Sequence, residues 1–258
     1  MQTPTPATQS APLSTFKFPA TPGKGHIIFV TNNKGGVAKT TLTAHVSDYL
    51  SEQGLQHLLV DVDMSGNALK RYKSATIVLN FDETKIAKGE SDLDKLFELA
   101  ANGCNILVDT GANAGKGLMS WMKDVDFLSL TKEHDVTVSF IVPINSEDKD
   151  TLSYLLFLHD FVKDYCNVIV CQSEVHGTQF ENSTKAIEEH CGGALPSFRF
   201  PEIPTKFAVM FKEKDLTLLG CLKTDKLSVL DQKRLERRWQ EMQVEFSKLL
   251  PLFSVTAK

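Results

Sequence analysis

The chain has 258 residues, 42% of them hydrophobic, with 32 acidic against 28 basic side chains for a net charge of −4. That length suits one α/β domain with a sizeable core, and the acidic balance excludes a protein that coats nucleic acid over its whole surface, so any contact with DNA must come from a local patch. Five cysteines without C-x-x-C spacing read as reduced thiols rather than a disulfide frame or zinc site, which with no membrane-length apolar run and no basic-then-apolar leader predicts a cytoplasmic protein.

Residues 1–24 are rich in Thr, Pro, Ala and Ser and lack aliphatic periodicity, so a disordered tail is expected there, followed by a single domain over 25–258. The tail contains no helix-turn-helix pattern. Domain organisation starts at His26-Ile27-Ile28-Phe29-Val30, an apolar run that reads as a buried strand. It feeds the turn Thr31-Asn32-Asn33-Lys34-Gly35-Gly36-Val37-Ala38 and a helical segment from Lys39 through Leu50 that stops at Gly54. A strand, a small-residue loop and a helix N-terminus in that order make a phosphate cradle, because the first helical turn offers unpaired N–H groups and a positive dipole end. Lys39 is placed to reach β- and γ-phosphates and Thr40 to hold Mg²⁺.

The strict pattern G-x-x-x-x-G-K-[ST] is not met, since Asn33 and Ala38 stand where its glycines belong. Lys34-Gly35-Gly36-Val37-Ala38-Lys39-Thr40-Thr41 instead resembles the deviant signature K-G-G-x-G-K-[ST]-[ST] of the ParA/MinD family of P-loop ATPases. The resemblance implies that these eight residues bind ATP with Mg²⁺, and that Lys34 crosses a dimer interface to the nucleotide of the partner subunit. Ala38 departs from the signature: its methyl group stands where backbone should press close to phosphate.

Further along, His57 to Asn67 is a short apolar strand ending in Asp61 and Asp63. Carboxylates at the mouth of a parallel sheet suit metal and water, though Asp also punctuates ordinary loops. The segment is similar to the family's D-x-D-P-Q-G-N, with Met64 and Ser65 in place of Pro and Gln; by that resemblance Asp61 supports the Mg²⁺ water shell and Asp63 orients the attacking water. Ala75–Phe81 reads as a strand and Ser91–Ala101 as a helix capped by Ser91. Cys104–Gly111 repeats the strand-then-Asp pattern and resembles a Walker B strand, which makes Asp109 a Mg²⁺ anchor; Gly111, Gly115 and Gly117 predict a mobile loop after it, with Lys116 a solvated charge.

Val136–Ile144 reads as a strand whose end Pro143 sets, Thr151–Val162 as a helix and Asn167–Cys171 as a strand. Strands alternating with helices at this spacing mean a doubly wound, mostly parallel sheet with helices on both faces. Gln172 follows at a position where the family places polar groups near the adenine edge, although a plain loop residue is the alternative. Phe198–Phe207, with Pro201 and Pro204, resembles the loop that closes over the base, and the absence of a guanine-reading N-K-x-D favours ATP over GTP.

The last helix opens at Ser228, with Asp231 three residues on, and Pro251 is expected to end it. Leu235, Trp239, Met242, Phe246 and Leu249 form an apolar stripe, while Lys233, Arg234, Arg237 and Arg238 gather opposite. The basic cluster is either a solvated face or a patch for sequence-independent DNA binding. Only Leu252 and Phe253 remain beyond the proline as apolar anchors, too few for a MinD-like membrane tail.

The expected function is therefore an ATP-switched homodimer of the ParA type that acts in plasmid or DNA partition or in cargo positioning. Its hydrolysis is expected to be slow and stimulated by a partner protein. Three alternatives remain open at this point: an accessory ATPase of conjugation or plasmid stability, a nucleotide-binding pseudo-ATPase suggested by Ala38, Met64 and Ser65, and a dethiobiotin-synthetase-like metabolic enzyme. Lys34 weighs against the last.

Overall fold

Seven parallel strands build one sheet in the order β3-β2-β4-β1-β5-β6-β7. The computed structural model describes residues 25–62, 68–73, 75–79, 91–112, 114–146, 148–223 and 227–253. The strands are β1 (His26–Val30), β2 (Leu58–Asp61), β3 (Ile77–Val78), β4 (Asn105–Asp109), β5 (Thr137–Asn145), β6 (Asn167–Ser173) and β7 (Ser197–Phe200). The central ones read as unbroken apolar runs because both faces are covered, as parallel sheets require. β1 lies between β4 and β5, so the chain turns to opposite sides of β1 and opens a crevice at the carboxyl ends of the strands.

The two faces hold separate cores. On one, Ile28, Val30, Leu107, Ile141 and Phe198 meet α1 (Lys39–Glu52), α2 (Ala68–Tyr72), and the later helices α8 (Thr205–Lys214), α9 (Leu218–Leu222) and α10 (Val229–Phe246). On the other, Ile27, Phe29, Val108, Phe140 and Val170 meet α3 (Asp94–Ala101), α4 (Ala114–Asp124), α5 (Phe127–Glu133), α6 (Lys149–Val162) and α7 (Glu181–Cys191). Phe29 and Phe140 stack at 5.3 Å across neighbouring strands. The apolar stripe of α10 is buried as its spacing demands, and Ser228 caps that helix by accepting from the Asp231 N–H.

The tail over 1–24 and residues 80–90 lie outside the described residues. Several other expectations need correction, and β3 covers only Ile77–Val78. Ser91 accepts from the Leu93 N–H and so serves the turn before α3, which begins at Asp94. Gly115 and Gly117 are not in a loop but inside α4, with Lys116 exposed between them. Pro143 does not end its strand; β1 has already stopped opposite Ile141, so the missing proline N–H breaks no ladder on that side, and its carbonyl accepts from Asn32 Nδ2. Pro251 does not stop the chain's helical path either. A 3₁₀ turn over Ser247–Leu249 leads into α11 (Leu250–Phe253), and a proline in a first turn costs no hydrogen bond.

Candidate nucleotide-binding site

The loop from Thr31 to Ala38 curls at the carboxyl end of β1 through two residues with left-handed backbone, Gly36 at φ +78° and Ala38 at φ +66°. Glycine adopts that geometry freely, whereas Ala38 holds it against the clash of its Cβ with the carbonyl. The result aims the first turn of α1 at an open groove of about 270 Å³ lined by Gly35, Gly36, Val37, Ala38, Lys39, Thr40, Thr41, Thr110 and Ala112. No side chain caps the first turn of α1 and no acidic residue sits in it, so a positive dipole end faces the groove. Lys39 is buried and its Nζ donates to the Lys34 carbonyl at 2.9 Å, folded along the loop it would leave on reaching a phosphate.

Asp61 and Asp109 end β2 and β4 side by side, paired in register and fully buried. Burial drives the Asp109 carboxyl up to about 7, and the neighbouring Asp61 adds to the rise, while Thr40, Lys39 and Thr43 oppose it. The Thr43 hydroxyl donates to the Lys39 carbonyl at 2.9 Å and lies 3.3 Å from Asp109 Oδ1. Asp109 Oδ2 is buried with no hydrogen-bond partner. A buried carboxylate oxygen left over beside the Thr40 hydroxyl fits Mg²⁺ well, and no cluster of three or more His, Cys, Asp or Glu that could cage a metal occurs among the described residues. That donor set suits an ion held by one or two side chains and completed by water and phosphate oxygens. Asp61 is partly committed elsewhere, since its Oδ2 accepts the Leu69 N–H at the start of α2. Asp63 lies outside the described residues.

Around the loop, three contacts were not legible in the sequence. Asn33 Oδ1 accepts the Gly115 N–H at 3.0 Å and so ties the phosphate loop to α4, the helix that follows Asp109 and Thr110. A Cβ on Gly115 would fall 2.4 Å from that oxygen and 2.5 Å from Tyr154, which is the reason for glycine there. Tyr154 on α6 bonds the Thr31 hydroxyl at 2.9 Å. Lys34, at the groove's rim, is salt-bridged to Asp148 and Asp150 at the start of α6.

Of the base-side expectations, Pro201 is buried in the turn between β7 and α8, and Ile203 two residues later lines a small cavity of about 50 Å³ with Thr41, His45 and Tyr72. Gln172 does not reach the groove. It lies within β6, shares the parity of Val168 and Val170 toward the opposite sheet face, and its amide meets Thr184 on α7 at 3.5 Å. In the basic cluster of α10 Lys233, Arg234 and Arg237 are exposed and Arg238 is half-buried, and all are internally paired: Lys233 with Glu236, Arg234 with Asp231, and Arg237 and Arg238 both with Glu241.

The family model for the CobQ/CobB/MinD/ParA nucleotide binding domain matches residues 28–255, from within β1 to just past the last described residue. The chain belongs to this family. The sporulation initiation inhibitor protein Soj of Bacillus subtilis strain 168 is 50% identical over 44 residues, a stretch covering only 17% of this chain and 17% of Soj. Among solved structures, the septum site-determining protein MinD of Pyrococcus horikoshii OT3, complexed with Mg-ADP, aligns with a TM-score of 0.50 at 16% identity over 91% of this chain and 99% of that one. A variant of Cyanothece McdA in complex with ATP gives 0.51 at 11% identity over 88% and 97%. At such identities the likeness speaks for the fold, a seven-stranded parallel P-loop architecture, and the MinD/ParA assignment rests on the matched family model. No helix among the described residues is long and apolar enough to cross a membrane.

Proposed function

We propose that this MinD/ParA-type protein is an ATPase whose ATP-bound form is a homodimer, with slow, partner-stimulated hydrolysis that returns it to the monomer. The observation that carries the proposal is the division of labour between two lysines. Lys39 is buried along the phosphate loop, whereas Lys34 stands at the rim with 42% of its side chain exposed, directed away from its own groove. A charge so placed has no task at its own phosphates and, once released from Asp148 and Asp150, would serve those of a second subunit. Within one subunit, Thr40, Asp109 and, through water, Asp61 would hold Mg²⁺, which would supply neutralisation of the polyphosphate's negative charge. Asp63 is proposed to orient the attacking water. The loop residues Gly35 to Thr41 bind the polyphosphate by backbone N–H groups, and the turn carrying Pro201 borders the base.

Partition or positioning of a cargo fits such a cycle, as does an accessory role in conjugation. A purely binding pseudo-ATPase remains the alternative on account of Ala38, Met64 and Ser65; phosphate release measured with and without a partner separates the two. The Lys39→Ala variant tests the site itself: calorimetry should show loss of Mg-ATP binding, since a charge-assisted phosphate contact is removed. Equal affinity in the variant would overturn the assignment. Non-specific DNA is proposed as the dimer's surface, through the α10 face where Arg234, Arg237 and Arg238 line a groove of about 340 Å³ with Pro204, Phe207 and Glu241.

A further inference from the structure

We infer that Asp148 and Asp150 form a latch that holds Lys34 in its own subunit and must open before Lys34 can serve a partner. The inference rests on the dimer reading above and names its regulation. Lys34 Nζ lies 3.1 Å from Asp148 Oδ2 and 3.0 Å from Asp150 Oδ2. Its backbone is fixed by a bond from the Lys34 N–H to Asn32 Oδ1 at 2.9 Å, and Asn32 Nδ2 donates in turn to the carbonyls of Pro143 and Thr151. The loop entrance is thereby docked onto the start of α6, and the side chain of Lys34 is delivered to the acids there.

The acids do not need Lys34 for their place in the fold. Asp148 is the N-cap of α6, its Oδ1 accepting from the N–H groups of Asp150 and Thr151, and Asp150 stands in the first turn, where the helix dipole favours a carboxylate. Hydrogen bonds to Asp150 and Asp148 raise the Lys34 ammonium above its ordinary range. Partial burial raises the Asp148 carboxyl, but Lys34 and the capped N–H groups outweigh it and hold it low. Two carboxylates therefore face one ammonium at the rim, and a second subunit's triphosphate must compete with them for Lys34. Exposed ion pairs are individually weak and salt-screened, while phosphate offers a stronger charge-assisted bond. The latch thus sets a threshold for dimerisation rather than a block.

The test uses the full chain. Asp150→Asn removes one charge, and Asp148→Asn/Asp150→Asn removes both while keeping an asparagine cap on α6. With ATP and Mg²⁺, sedimentation velocity over a concentration series should show the double variant dimerising at a concentration roughly four- to several-hundredfold lower than wild type, the range expected for two exposed pairs in each of two subunits. That gain should vanish in the Lys34→Ala background. On nucleotide-free protein, acetic anhydride should acylate Lys34 faster in the double variant, with Lys116 as internal reference, because a less strongly held ammonium is more often the free amine. Unchanged acylation, or dimerisation equal to or weaker than a wild type that does dimerise through Lys34, overturns the latch and leaves the dimer reading standing. A wild type that stays monomeric with ATP, or a Lys34→Ala variant that dimerises as wild type does, overturns the dimer reading and the latch with it.

Discussion

Ala38 departs from the family's K-G-G-x-G-K-[ST]-[ST] signature at a position whose backbone the structure defines, and Ala38→Gly isolates its effect. At φ +66° and ψ +22° the residue sits in the left-handed region, where an L-residue with a Cβ is disfavoured by roughly 1–2 kcal/mol. Glycine removes that clash but gives the unfolded chain more freedom, at a cost of about 0.5–1 kcal/mol. The net is a gain of about 1 kcal/mol, which in a chain of this size corresponds to a Tm roughly 2–4 °C higher. Ala208→Gly supplies a control of opposite sign: Ala208 is exposed within α8, and there the same change should destabilise by about 1 kcal/mol. Thermal melts by circular dichroism, without nucleotide and with Mg-ATP, read both variants. Ala38→Gly should also bind Mg-ATP more tightly, because the methyl group lining the groove is gone and backbone can approach phosphate. A Tm that falls in Ala38→Gly as it does in Ala208→Gly would refute the claim that Ala38 is strained.

Gly115→Ala should destabilise by about 1–3 kcal/mol, the usual cost of overpacking, since its Cβ meets Asn33 and Tyr154 at 2.4 and 2.5 Å; urea unfolding measures it, and a neutral result would mean that α4 is free to shift. His26 is buried, donates from Nδ1 to the Leu252 carbonyl and, when neutral, accepts at Nε2 from the Ser139 hydroxyl, and burial pushes it down to about 4 from an ordinary 6.5. Its contribution is fully present above pH 6.5 and is lost as pH falls toward 4, about 3 kcal/mol from this group; His45 and His57 are depressed too and add in the same direction, and His26→Gln should flatten the acid limb of the stability profile. For the α10 face, the ATP-bound protein should bind unrelated duplexes with a steep salt dependence, and Arg237→Ala/Arg238→Ala should lower the log–log slope by roughly 2 per subunit if both reach phosphate. Because both arginines already share Glu241, identical slopes would mark the face as a self-neutralised helix surface and remove DNA from the reading.

What the sequence by itself determined is what depends on near neighbours along the chain. An apolar run followed by Gly35, Gly36 and Lys39 places a cradle on a helix start, an apolar run ending in Asp109 places a carboxylate at a strand mouth, and the spacing of Leu235, Trp239, Met242 and Phe246 fixes a buried helix face. Local periodicity carries these because each is one element's own geometry. Only the tertiary structure decided which distant groups those elements meet. Asn33 and Gly115 are 82 residues apart, and Lys34 and Asp148 are 114, yet each pair is in contact because the order β4-β1-β5 brings the starts of α4, which follows β4, and α6, which follows β5, to the loop after β1. Gln172 is neither a loop residue nor past its strand: it lies inside β6, and strand parity turns it toward the face that Val168 and Val170 share. A side chain's direction across a sheet changes with a single residue of register, so where a strand ends, which sequence reads least well, decides on which side its last polar group emerges.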